Sequence, residues 1–97
     1  MNKQRRNQIS KVIEKIEGVV SDAKERLEEY KSDIEELYGE EEECYDNLPE
    51  SLQDGERGEA MQEAMDALDN AVSELETLIE AIDCENVVSC LNDAIEQ

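Results

Sequence analysis

The chain contains no histidine, no tryptophan, no phenylalanine and only one proline. Without histidine it lacks the side chain most used near neutral pH as general base, proton shuttle and metal ligand. Basic residues are also scarce, nine Lys and Arg against 28 Asp and Glu, for a formal net charge of −19. A chain this acidic repels DNA and anionic membrane surfaces, which excludes ordinary nucleic-acid binding. No apolar run approaches the ~18 residues of a membrane span, and no signal-peptide apolar region follows the start. The expected setting is therefore the cytoplasm. Ninety-seven residues are enough for one domain and too few for two.

The three cysteines, Cys44, Cys84 and Cys90, have no CxxC spacing and no histidine companion, which excludes the usual zinc sites. Three is an odd number for a disulfide framework, and a cytoplasmic setting keeps thiols reduced. With nothing to activate a thiolate, they read as small buried or half-buried apolar residues. The carboxylates offer no better metal site. Consecutive residues Glu40–Glu43 fan out around a helix instead of converging, and the stretch from Glu50 fails as a calcium loop because Leu52 and Met61 stand where ligands are required. No enzyme activity, cofactor or metal is expected.

Charge and apolar spacing carry the positive information. Residues 1–31 hold eight bases and six acids, whereas residues 32–97 hold 22 acids and one base, Arg57. From Ile9 the apolar residues step by four and three through Ile13, Ile16, Val20, Ala23, Leu27, Tyr30, Ile34 and Leu37. This is a heptad seam sustained for four repeats, the pattern of a long helix packed along another helix. Val12 and Val19 widen the stripe, so this helix is expected to touch more than one partner. Gly39 is a possible stop, although the glutamates after it carry helix propensity on to Cys44 or Tyr45.

A second seam runs through Met61, Met65, Leu68, Val72, Leu75, Ile79 and Ile82, with Ala60, Ala64, Ala67 and Ala71 adding propensity and permitting close packing. Beyond Ile82 the phase fails, and Val87, Val88, Leu91, Ala94 and Ile95 lie on nearly the opposite face of a straight helix. A break near Asp83–Asn86 is therefore expected, the alternative being one continuous helix whose end uses its other face for a second partner. The expected fold class is all-α: an antiparallel, coiled-coil-like long helical hairpin with a short third C-terminal helix. The expected bounds are a helix over about 4–44, a connection over 45–55, a helix over 56–83 and a short helix over 86–96. Asp54 is the expected N-cap of the second helix.

The connection Tyr45-Asp46-Asn47-Leu48-Pro49-Glu50-Ser51-Leu52-Gln53, followed by Arg57-Gly58-Glu59-Ala60-Met61, resembles a pattern in small acidic helical proteins encoded by phages and prophages of Gram-positive bacteria. The opening Met1-Asn2-Lys3 with Arg5 and Arg6, and the Ala/Leu/Ile heptads, fit the same group. The resemblance implies a phage setting in a bacterial host cell and an interaction role, with no assigned activity or site. The segment from Cys84 to Cys90 departs from the Glu/Leu repeats expected there.

Two functions follow. The first is a protein-interaction module that uses apolar helix faces as an adaptor, assembly factor or regulator. The second is a DNA-mimic decoy, whose helix-borne carboxylates engage a basic nucleic-acid-binding protein. The partner-binding candidates are the hairpin-tip residues Glu35, Glu36, Glu40, Glu41, Glu42 and Glu43, with the tyrosines Tyr38 and Tyr45. The tyrosine pair has two readings, a contact inside the hairpin or a surface for a partner. Two hairpins are expected to pair as a homodimeric four-helix bundle with their acidic tips apart, because a chain this short has a marginal core.

Overall fold

The computed structural model describes all residues, Met1–Gln97, and contains helices and no strands. Helix α1 spans Lys3–Asp46, α2 is a single turn at Glu50–Gln53, α3 spans Glu56–Ala81 and α4 spans Glu85–Glu96. α1 forms one arm of an elongated hairpin and α3 runs back along it. α4 continues the return toward the start of α1, where the Met1 amino group donates to the Gln97 carbonyl at 3.3 Å. The molecule measures 75 × 16 × 11 Å, about two helices wide and one deep.

α1 begins at Asn2, whose side-chain oxygen accepts from the Arg5 N–H at 2.8 Å and satisfies one of the free donors of the first turn. The helix passes through Gly18 and Gly39 without interruption. It ends where Pro49 cannot continue it. The connection is tighter than a loop. The Gln53 side-chain amide donates to the carbonyls of Tyr45 and Leu48 at 3.0 and 3.2 Å, tying α2 to the turn that follows α1. Gly58, in the first turn of α3, is buried against α2, and a Cβ there would overlap the Gln53 carbonyl. The N-cap of α3 is Gly55, not Asp54, which instead ends α2.

Every expected seam residue of α3, from Met61 to Ile82, is buried or half-buried. In α1 the expected seam holds through Leu27 and again at Ile34, and fails at Tyr30 and Leu37. Tyr30 and Leu37 are 53% and 51% exposed, and Lys31, Tyr38, Glu41 and Tyr45 face inward beside Ile34 in their place. A straight helix drifts by ~20° per heptad against a strict seven-residue repeat. After three heptads that drift carries Tyr30 and Leu37 out of the contact and brings Lys31 and Tyr38 into it.

The chain does break after the second seam. Ile82 is extended (φ −77°, ψ 101°), and the Glu85 N–H is held by the Asp83 carboxylate at 3.2 Å. The break re-phases the apolar side of α4, leaving Val88, Leu91, Ala94 and Ile95 half-buried where α4 packs on α1. Cys44 and Cys90 are exposed and only Cys84 is half-buried, so two of the three thiols are not the covered residues the sequence suggested. Cys44 lies about 100° around α1 from the inward-facing Tyr45, which turns its thiol to solvent. Only four of the 97 residues are buried, with Ile13, Met65 and Ile79 as the apolar ones. A side chain left half-covered gains roughly half of the ~1.5–3 kcal/mol of full burial, so this hairpin alone is thinly stabilised.

Candidate interaction surface

Two cross-arm contacts fix the register of the hairpin. The Lys31 ammonium pairs with the Glu76 carboxylate at 3.5 Å, and the Gln62 side-chain amide donates to the Tyr45 hydroxyl at 2.7 Å. Residue numbers sum to 107 in both pairs, as expected for two straight antiparallel helices without slippage. Lys31 also meets Glu28 at 3.4 Å. Desolvation lowers the Lys31 pKa, but hydrogen bonds and the fields of Glu28 and Glu76 outweigh it and hold the ammonium above its ordinary value. These two contacts of Lys31 are the only ion pairs in the structure.

A flat hairpin has two broad faces, and here they differ. On one, Glu35 and Tyr38 of α1 and Asp69 and Val72 of α3 line a shallow hollow, which places Glu35 and Asp69 on the same side. At ~100° per residue, Glu28 of α1 and Asp66 and Ser73 of α3 share that side. It is polar and charged.

The other face is apolar along most of its length. On α1 it carries Val12, Val19, Tyr30 and Leu37, which fall within about 20° of one another around the helix and are all exposed. On α3 it carries Ala60, Ala64, Ala67 and Ala71, then Leu78, again all exposed. Val87 of α4 is exposed as well. A hollow lies midway along α1, lined by Val19, Asp22, Ala23, Arg26, Leu27 and Tyr30, close to where the break between α3 and α4 leaves α1 uncovered. A second, lined in part by Met1, Ile9, Val12 and Leu91, lies where α4 meets α1. Isolated exposed apolar side chains are ordinary, but a contiguous apolar face on both arms is the mark of a contact surface.

The tip gathers the carboxylates. Glu35, Glu36, Glu40, Glu42 and Glu43 are exposed and Glu41 is half-buried, and none has an ion-pair partner. Glu40–Glu43 point in four directions around α1. No basic residue occupies the last turn of α1, so these charges stand at the partially negative end of the helix without compensation. Tyr38 and Tyr45 are not gathered with them. Both are half-buried on the side of α1 that meets α3, with the Tyr45 hydroxyl bound to Gln62.

Sequence reasoning missed most of the apolar face. Val12 and Val19 signalled a second contact. The alanines read as helix formers, and Tyr30 and Leu37 were assigned to the seam. No helix is long and apolar enough to cross a membrane. Set against models of known protein families, characterised proteins and solved structures, the chain matches none.

Proposed function

We propose that this chain is a non-catalytic protein-interaction module of a phage or prophage, an adaptor, assembly factor or regulator of a host or phage protein, that works through its apolar broad face. The observation that carries this reading is the one-sidedness of the hairpin. One face carries Glu28, Glu35, Asp66 and Asp69, whereas the other carries a line of exposed Val, Tyr, Leu and Ala residues from both arms, with charged residues such as Asp22 and Arg26 along its edge. Keeping such a face in water is unfavourable by ~25 cal/mol per Å², and a partner helix or helix pair removes that cost. Acidity then maintains solubility while the face is uncovered.

A second reading rests on the tip. Carboxylates without counter-ions at the negative end of α1 do not stabilise the fold, which favours a role outside it. In this reading the tip is a decoy for a basic, nucleic-acid-binding host protein, with the glutamates as acceptors for Lys and Arg.

The two readings part on salt and on mutation. Immobilised chain is exposed to host lysate at about 50 and 500 mM salt, conditions that differ severalfold in screening. Contact through the apolar face predicts capture that survives high salt and disappears in the double variant Val19→Glu, Tyr30→Glu. Capture that collapses with salt, survives that variant and vanishes when Glu40–Glu43 are all changed to Gln assigns the function to the tip instead.

A further inference from the structure

We infer that the apolar face is covered by a second copy of this chain, packed antiparallel about a two-fold axis that crosses the middle of α1. The inference rests on the apolar face as the contact surface and specifies its occupant.

The argument begins with spacing. The exposed large apolar residues of α1 are symmetric along the helix: Val12 with Leu37 and Val19 with Tyr30 are pairs whose numbers each sum to 49. The midpoint of α1, spanning residues 3–46, falls at the same place, between residues 24 and 25. Two copies of α1 laid antiparallel about that point overlap over their full length. Val12 meets Leu37 of the other copy, and Val19 meets Tyr30. The hollow lined by Val19, Asp22, Ala23, Arg26, Leu27 and Tyr30 lies on the axis and receives the Tyr30 ring of the other copy.

Charge supplies a second, independent match. Lys11, Lys15 and Arg26 lie along the outer side of the apolar line of α1, and Arg5 lies on its other side beside Val12. In the register set by the apolar pairs, Lys11 falls between Glu36 and Glu40 of the other copy, Lys15 falls beside Asp33 and Arg26 beside Asp22. These offsets are one or two residues, within ~3 Å along the axis. The parallel alternative has no such pairing. It also brings both acidic tips together, whereas the antiparallel pair puts each tip over the other copy's more basic start.

The return arm fits the same axis. Through the 107 register of the hairpin, the middle of α1 lies opposite residues 82–83, the break between α3 and α4. A two-fold there lays the alanine side of α3 over α4 of the other copy, where Val87 is exposed. Small residues on one helix and a branched one on the other allow close approach. The 75 × 16 Å outline offers on the order of 1,000 Å² per copy, above the ~800 Å² that a stable interface takes from each partner. The product is a four-helix bundle with an acidic tip at either end.

Charge reversal on the full-length chain tests the register. Lys15 and Asp33 are 18 residues apart on one straight helix, about 27 Å, and cannot meet within a copy. Sedimentation at about 50 µM and ~150 mM salt should give a species of twice the 11.0 kDa chain mass. Lys15→Glu and Asp33→Lys should each weaken self-association about tenfold, and the double variant should recover to within about threefold of wild type, with helicity by circular dichroism unchanged throughout. A spin label on Cys44, with Cys84 and Cys90 replaced by Ala, should report roughly 60 Å between copies. A monomer at 200 µM, a double variant no better than its singles, or a Cys44 distance near 20 Å each overturns the inference. A monomer whose salt-resistant capture of host protein is lost in the Val19→Glu, Tyr30→Glu variant removes the second copy as occupant and leaves the apolar-face function standing.

Discussion

Replacing Gly58 by alanine sets two ordinary effects against each other, and the structure decides between them. Alanine is the better helix former by ~1 kcal/mol, so in an open first turn of α3 the change stabilises. Here the added methyl lands on the Gln53 carbonyl, a backbone atom that cannot rotate away. Relief requires α2 to shift. That motion loosens the Gln53 amide from the Tyr45 and Leu48 carbonyls. Overpacking of this kind costs ~1–3 kcal/mol, and loss of the two amide bonds adds about 1 kcal/mol more. After the propensity gain, a net loss of roughly 1–3 kcal/mol remains. Gly18 and Gly39 provide the control, because a Cβ at either meets nothing within 4 Å. Alanine there should stabilise by ~0.5–1 kcal/mol. Thermal unfolding by circular dichroism, at matched protein concentration, should show Gly58→Ala melting ~5–15 °C lower and Gly18→Ala or Gly39→Ala several degrees higher. If Gly58→Ala melts as high as the two controls, the packing of α2 on α3 described above is wrong.

Other outcomes follow from the same geometry. Tyr45→Phe removes the acceptor of the Gln62 amide but keeps the ring in the seam, so it should cost ~0.5–1.5 kcal/mol in chemical denaturation. Changing Glu40–Glu43 together to Gln relieves repulsion at the negative end of α1, and the melting temperature should hold or rise. A fall would mean those carboxylates have stabilising partners. Lys31 has its pKa raised in the fold, so its pairing with Glu28 and Glu76 contributes in full below the unfolded value of ~10.4 and is lost as pH rises through the higher folded value. The difference in melting temperature between wild type and Lys31→Gln should be constant from neutral pH to about 10 and close above it. A difference that closes below pH 9 would contradict the shift.

How much of this was legible depends on which residue types carry each feature. The seam of α3 was readable because Met, Leu, Val and Ile occupy it at every position while its flanks hold small or polar residues everywhere except at Leu78. The break after Ile82 was readable because the apolar phase reverses there. α1 was readable to Leu27 and again at Ile34. On either side of Ile34, Tyr30 and Leu37 compete with Lys31 and Tyr38 for the inward positions, and hydrophobicity favours the wrong set. The accumulated drift of a straight helix decides the matter, and drift is a property of the whole arm, not of any local window. Glu41 and Lys31 tolerate the inward side because long aliphatic stems cover apolar surface while the charges reach out. The acidic tip was legible from composition. The apolar face was not, because alanine adds little to a hydropathy pattern and the heptad spacing puts Tyr30 and Leu37 in the seam. Its symmetry about the middle of α1 emerges only once Tyr30 and Leu37 are known to be outside.

Hydroxyl-radical footprinting across a concentration series tests the pairing of two copies through the apolar face most directly. It reads side-chain accessibility in the unmodified chain, one residue at a time. Val19, Tyr30 and Leu37 should all react freely at 1 µM and become protected together near 200 µM, while Tyr38, Tyr45 and Leu52 react equally at both concentrations. Protection confined to the tip, or no change at Val19, Tyr30 and Leu37, would contradict the account.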